Sequence, residues 1–207
     1  MLRTTQDFAG KARLRCESPR QAENTEILLD TDSFDALYLL RTNNTGFTLF
    51  FIMSANLKPI GIIHSPYKTK DQCPIQGAYA ADGKATVEVF SEYEEGLKDV
   101  EGFSHLILLY LFDRAGKVEL VRPTFLDDRP HGVFASRHPC RPNGIGLSVV
   151  RLIKRDKNVL EVAGVDVLDG TPLVDIKPYV AKFDSFPEAS EGWISSRQWR
   201  PKPSGRE

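Results

Sequence analysis

Cysteine, methionine and long apolar runs are all scarce in this chain. Three cysteines, Cys16, Cys73 and Cys140, stand far apart among 207 residues, and no CxxC pair occurs. That excludes a zinc ribbon and a thioredoxin-type centre. An odd cysteine count fits a reducing compartment. The longest apolar runs, Leu106–Phe112 and Leu49–Met53, are far shorter than the ~20 residues of a membrane-spanning helix. The opening residues Met1–Asp7 lack the apolar core of a signal peptide. A soluble cytoplasmic protein with no membrane partner is the expectation. Charge of one sign is also missing: 27 Lys and Arg face 28 Asp and Glu, for a net charge of −1. Any nucleic-acid binding must then rest on a local patch. GxGxxG, Walker and GxSxG patterns are absent. The four histidines, 64, 105, 131 and 138, have no ligand spacing, and no metal site is expected.

The chain changes character near its only internal methionine, Met53. Residues 1–55 form an unassigned segment. Residues 3–26 are polar without a period, 27–40 suit a short strand or helix, and 46–52 read as a bare apolar patch. The natural chain is expected to start at Met53, and the preceding segment, where translated, to pack weakly or stay disordered. Residues 56–193 read as one domain rich in short strands: Lys58–Ile63, then Ala85–Phe90 after a hairpin turn at Asp82-Gly83, a short helix over Glu92–Lys98, and a strand over His105–Phe112 buried on both faces. Leu147–Ile153 and Val159–Val167 follow, joined by a charged turn, and then Leu173–Ile176. Such spacing predicts a mainly β fold, an antiparallel barrel or sandwich. A short helix over residues 190–199 would hold Trp193 and Trp199. Residues 194–207 are a polar tail carrying Arg197, Arg200, Lys202 and Arg206, either solvated or touching a nucleic acid.

Three segments carry more special-geometry residues than packing requires. His64–Gly77 is a long loop with two prolines, and such loops bind ligands or simply cover surface. In Ala135–Gly146, Pro139 and Pro142 stiffen the backbone around Arg137 and Arg141, whose planar forks suit carboxylate or phosphate. Asn143-Gly144 in the same loop can turn with positive φ and expose amides. Asp166–Tyr179 holds Asp166, Asp169 and Asp175 without EF-hand spacing. Asp175 and Lys177 share one face of a strand.

Together these segments resemble the TsaA/TrmO-like proteins, S-adenosylmethionine-dependent tRNA methyltransferases. The matching motifs are Ile60-Gly61 with Ser65-Pro66-Tyr67, Pro74-Ile75-Gln76-Gly77, Gly102-Phe103-Ser104-His105-Leu106, Arg137 with Arg141-Pro142-Asn143, Ile145-Gly146-Leu147, Asp169-Gly170-Thr171-Pro172, and Asp175-Ile176-Lys177-Pro178-Tyr179. The resemblance runs from about Leu57 to Trp193. It implies a single small antiparallel β-barrel with short helices, a homodimer with the cofactor near the subunit interface, and methylation of the exocyclic nitrogen of threonylcarbamoyladenosine beside the tRNA anticodon. The chain resembles the shorter, single-domain form of the family.

By the same resemblance, S-adenosylmethionine is held by Pro74, Ile75 and Gln76, by Asp113 and Arg114 (where family members often have His-Gln), by Arg137 and Leu147, and by Asp169, Gly170, Thr171 and Pro172. Arg137 would take the methionine carboxylate and Asp169 the ribose hydroxyls. Asp175 or Tyr179 is the candidate general base. Arg141 and Lys177 are candidates for anticodon-loop phosphates or the threonyl carboxylate, with Asn143 beside them in the catalytic group. The alternative functions are a regulatory barrel that binds S-adenosylmethionine without catalysis, or a methyltransferase with another acceptor.

Overall fold

A computed structural model describes the side chains of residues 57–198 and Arg200, and the backbone of five strands before them. The chain divides into two compact units, Met1–Leu57 and Lys58–Glu207.

In the first unit β1 (Leu2–Gln6), β2 (Ala12–Cys16), β3 (Ile27–Leu29), β4 (Asp35–Thr42) and β5 (Gly46–Met53) form an antiparallel sheet in chain order. The longest pairing runs from Asp35↔Met53 to Thr42↔Gly46. Paired strands stand where a weakly packing or disordered segment was expected, and how its apolar runs pack lies outside the described residues. Ladder hydrogen bonds join backbone groups whatever the side chains, so the polar strands β1 and β2 leave little periodic trace in the sequence. Met53 is the last residue of β5.

The second unit is a closed six-stranded antiparallel barrel. Its strands are β6 (Gly61–His64), β7 (Lys84–Val89), β8 (His105–Leu111), β11 (Ile145–Asp156), β12 (Val159–Ala163) and β13 (Thr171–Pro178), in the circular order β11-β12-β7-β6-β13-β8. A small ribbon of β9 (Val121–Pro123) and β10 (Pro130–Gly132) lies in the long β8–β11 connection. The expected mainly β barrel with short helices is what forms. Among the described residues helical structure is limited to short 3-10 turns and the four-residue α1 (Ala181–Asp184). None of the described helices is long and apolar enough to cross a membrane.

Alternation explains the core. Every second residue of each strand points inward, so Ile63, Val87, Leu106, Leu108, Val150, Leu160, Val162 and Leu173 fill the interior and are fully buried or nearly so. On β8 only Leu106, Leu108 and Tyr110 are buried, while Ile107, Leu109 and Leu111 are half-covered. The strand expected to be buried on both faces is therefore buried on one. Asp82-Gly83 leads into β7 after a 3-10 turn over Gly77–Ala80, not as a two-residue hairpin. Residues 92–98 lie mostly in 3-10 structure (Ser91–Leu97). Around Trp193 only Gly192–Ile194 is helical, and Trp199, Lys202 and Arg206 lie outside the described residues.

Antiparallel closure has one consequence for function. The carboxyl ends of β6, β8 and β12 and the amino ends of β7, β11 and β13 lie at one mouth of the barrel, as the pairs Thr171↔Ile63, His64↔Thr86, Ala163↔Lys84 and Ile145↔Leu111 require. The connections 65–83, 112–144 and 164–170 all emerge there.

Candidate functional site at the barrel mouth

Each connection contributes polar groups to this mouth. The 164–170 connection is its keel. Asp169 accepts the Ser65 amide on Oδ1 at 3.1 Å, and its Oδ2 takes the Lys68 ammonium. His64 Nδ1 lies 3.9 Å from Oδ1. The Lys68 hydrogen bond, together with the Ser65 amide and the Lys68 and His64 charges, holds the Asp169 carboxyl below its ordinary value. Ser65 Oγ donates to the Val167 carbonyl at 2.7 Å, and the Asp169 amide donates to the Tyr67 carbonyl at 2.8 Å. The start of the long loop is thus fixed on the keel. The carboxylate expected to hold ribose hydroxyls is turned toward residues 65–68.

The far end of that loop is fixed as well. Gly77 N–H donates to Asp166 Oδ2 at 3.0 Å. A Cβ at Gly77 would lie 2.0 Å from the Gly164 carbonyl oxygen, so only glycine allows this close approach. Gln76, one residue earlier, accepts a hydrogen bond from Arg137 Nη1 at 3.2 Å and donates to the Ile75 carbonyl at 2.8 Å. Among the described residues this is the one hydrogen bond of the Arg137 guanidinium; the residue is exposed, and further donors of its fork remain available to a ligand carboxylate.

Arg114 leaves the end of β8 and donates to the Asp169 carbonyl at 2.8 Å and to Thr171 Oγ1 at 3.1 Å, while its Nε sits 3.2 Å from Asp113. Thr171 Oγ1 in turn donates to the Leu168 carbonyl at 2.6 Å. Arg114 therefore braces the Asp169–Pro172 turn. Asn143 and Gly144 adopt positive φ, 66° and 51°, as the Asn-Gly sequence suggested. Their turn returns the chain to β11, with Phe112 N–H donating to the Gly144 carbonyl at 2.7 Å. Arg141 Nη1 donates to the Ser136 carbonyl at 3.2 Å, a bond within its own loop.

The remaining sequence-predicted residues lie elsewhere. Leu147 pairs with Leu109, and Leu109 pairs with Asp175, so the three form a row across β11, β8 and β13 on the outer wall. Val149, Ile107 and Lys177 make the next row. Asp175 Oδ2 is 2.7 Å from Lys177 Nζ, and its Oδ1 accepts the Ile176 amide at 2.9 Å. Tyr179 donates its amide to the His105 carbonyl at 3.1 Å, farther from the mouth, and its ring meets His105 edge-on at 6.3 Å. One copy of the chain thus gathers Gln76, Arg114, Arg137, Asp169 and Thr171 at the mouth, and leaves Leu147, Asp175, Lys177 and Tyr179 on the wall. Arg197 and Arg200, read from sequence as parts of a loose basic tail, are instead tied to acids: Arg197 to Asp127 at 2.6 Å, and Arg200 to Asp128 at 2.9 Å.

Sequence reasoning left Asp166, Ser148 and Lys68 out of the site. Asp166 stands between Val165 and Val167, both buried. An acid inside an apolar alternation was the available signal, because such a group needs partners.

The family model for the tRNA-methyltransferase O N-terminal domain matches residues 62–185. A probable S-adenosyl-L-methionine-binding protein of Pyrococcus abyssi is 54% identical over 137 residues, covering 66% of this chain and 74% of that protein. A mouse tRNA (adenine(37)-N6)-methyltransferase is 36% identical over 135 residues, 62% of this chain and 31% of that enzyme. Among solved structures, a crystal structure of TrmO superposes with a TM-score of 0.60 at 41% identity, covering 68% of this chain and 64% of that one. This chain therefore spans less than two thirds of the solved TrmO chain and about a third of the mouse enzyme.

Proposed function

The chain belongs to the tRNA-methyltransferase O N-terminal domain family, and from that premise we propose that it is an S-adenosylmethionine-dependent methyltransferase acting on the exocyclic nitrogen of threonylcarbamoyladenosine beside a tRNA anticodon. The observation that carries the reading is the Gln76–Arg137 pair at the mouth. It presents an exposed guanidinium for a carboxylate on a backbone pinned at both ends. The donor set fits the group: a guanidinium for the methionyl carboxylate, and the Ile75 and Gln76 backbone with the carbonyls of the Asp169–Pro172 turn for an adenosine, the amides of that turn being engaged within the barrel. When bound, S-adenosylmethionine supplies a methyl group already activated on a sulfonium. The protein's part is then chiefly placement. Arg137 and Gln76 orient the amino-acid end, and Arg114 keeps the Asp169–Pro172 turn in shape. The acceptor nitrogen must also lose its proton, and Asp175 or Tyr179 is the candidate to take it.

We infer a homodimer for the same reason that the site is split. Ile145, Leu147 and Val149 project from one face of β11 and remain 41%, 46% and 43% exposed, and the exposed Arg151 ends this apolar stretch. Next to them lie the half-covered Ile107, Leu109 and Leu111. A contiguous apolar wall of this kind marks an interaction surface. A two-fold pairing through it would cover the wall and bring the Asp175–Tyr179 edge of one copy toward its partner. Cytoplasmic placement follows from tRNA as substrate.

Nucleoside analysis of tRNA from a strain lacking the gene tests the assignment. Methylated threonylcarbamoyladenosine should disappear and its unmethylated parent accumulate. An unchanged profile would leave a non-catalytic module, or a different acceptor, as the better reading.

A further inference from the structure

Asp166 is an ionisable group beneath the mouth for which the transfer just described has no use. It is nonetheless hydrogen-bonded on both of its oxygens. Ser148, buried on β11, donates to Asp166 Oδ1, and the buried Tyr110 hydroxyl is 2.9 Å from Ser148 Oγ. Ser148 has one proton, which it gives to the carboxylate, so Tyr110 is the donor to Ser148. On its other oxygen Asp166 accepts the Gly77 amide. Gly77 is also seated against Gly164, two residues before Asp166, at a distance that excludes any Cβ. Gln76 precedes Gly77 and holds Arg137. An unbroken chain of contacts thus runs from the barrel interior to the exposed guanidinium: Tyr110, Ser148, Asp166, Gly77, Gln76, Arg137.

We propose that Asp166 is a positioning residue for the cofactor site, holding the Pro74–Gly77 segment on the barrel so that Gln76 and Arg137 face the bound S-adenosylmethionine. The role rests on the methyltransferase reading above. Its logic is geometric. Residues 65–68 are fixed by Asp169 and Val167, whereas the other end of the loop depends on the Gly77–Asp166 bond and the Gly164 contact. Without that bond the Gly77 amide is left unsatisfied against a closely packed backbone, and the segment lifts. Burial pushes the Asp166 carboxyl above its ordinary value, while Ser148, Gly77 and the Arg137 charge pull it back. Tyr67 and Tyr110 also feel its charge. The Arg137 and Asp166 charges therefore attract one another across the loop.

The test combines calorimetry of S-adenosylmethionine binding with the amide resonance of Gly77 in protein labelled on glycine nitrogen. Asp166→Ala should weaken binding about tenfold and raise the cofactor KM in proportion, with kcat at saturation changed by no more than about threefold. Asp166→Asn keeps an acceptor for Gly77 and a donor for Ser148, so its affinity should stay within about threefold of wild type. A residue that merely stabilised the barrel would not give this split between KM and kcat. In the wild type the Gly77 resonance should move as Asp166 takes up its proton, and in Asp166→Asn it should not. Should Asp166→Ala fail to fold, Ser148→Ala takes its place, with binding weakened by at least about threefold. Wild-type affinity in the folded Ala variant, or a Gly77 resonance insensitive to Asp166, overturns the role. A wild-type protein that binds no S-adenosylmethionine overturns the methyltransferase reading itself, a result the other two do not produce.

Discussion

At the scale of the residue, what distinguishes this mouth is how few of its charged groups are left for a ligand. Asp169 is engaged with Ser65 and Lys68, and Arg114 with a carbonyl and a hydroxyl. Arg137 stands out by giving only one bond among the described residues, to a neutral partner. Arg137→Ala should therefore weaken S-adenosylmethionine binding by about tenfold or more, the usual worth of a charge-assisted hydrogen bond, with little effect on melting. Calorimetry reads the first and a thermal scan the second; unchanged affinity would remove Arg137 from the site. Asp175→Asn is expected to behave oppositely, with affinity retained and turnover lost. A second titratable group predicts a pH response. Burial and the Arg122 charge lower His138 from 6.5 to about 4. Its Nδ1 accepts the Cys140 amide at 3.1 Å, and its buried Nε2 has no partner among the described residues. Protonation must break the Cys140 bond. The unfolded chain binds more protons than the folded one between those two values, so stability is complete above pH 6.5 and falls as pH drops toward about 4. Thermal melts across that window should show the loss, and His138→Gln should flatten it.

At the scale of the element, the amino acids state some strands openly and hide others. His105–Phe112 and Leu147–Ile153 could be placed from apolar content, and Asn143-Gly144 from its turn chemistry. Whether β8 was covered on one face or two could not be decided, because a run of leucines looks the same either way. The covering depends on what packs outside, and among the described residues of the barrel nothing covers this wall. The first unit shows the reverse case. Its strands β1 and β2 rest on backbone pairing and carry too many polar residues to signal a sheet. The candidate site was legible where a motif sits in a loop, as at Gln76 and Arg137. Asp166 was not, since its partners Ser148 and Gly77 are 18 and 89 residues away. Two predictions belong here. Leu108→Ala, in the centre of β8, should cost about 2–5 kcal/mol of stability by denaturant titration, as a fully buried leucine does. Gly146 packs against the Tyr110 ring, where a Cβ would come within 2.1 Å. Gly146→Val should therefore displace Tyr110 from Ser148 and destabilise the barrel, with near-ultraviolet circular dichroism reporting the altered tyrosine.

At the scale of the whole molecule, the barrel gathers three separate connections at one mouth while an apolar wall runs down one side. On the proposed reading the cofactor binds at the mouth, and the candidate proton acceptors belong to the wall. A second copy covering the wall would join the two. Replacing Leu147 and Val149 with aspartate should give a monomer in sedimentation, with the fold kept but turnover lost. A monomeric wild type of full activity would contradict the pairing. Balanced charge, 21 basic and 21 acidic residues between 56 and 207, means that a tRNA substrate would have to be recognised through placement rather than overall attraction. The most direct measurement of the central claim is methyl transfer by the purified protein, followed by nucleoside mass spectrometry. With S-adenosylmethionine and tRNA carrying threonylcarbamoyladenosine, that nucleoside should gain the mass of one methyl group in place of a hydrogen, and tRNA lacking the threonylcarbamoyl group should remain unmodified. Equal methylation of both tRNAs, or of neither, would contradict the account.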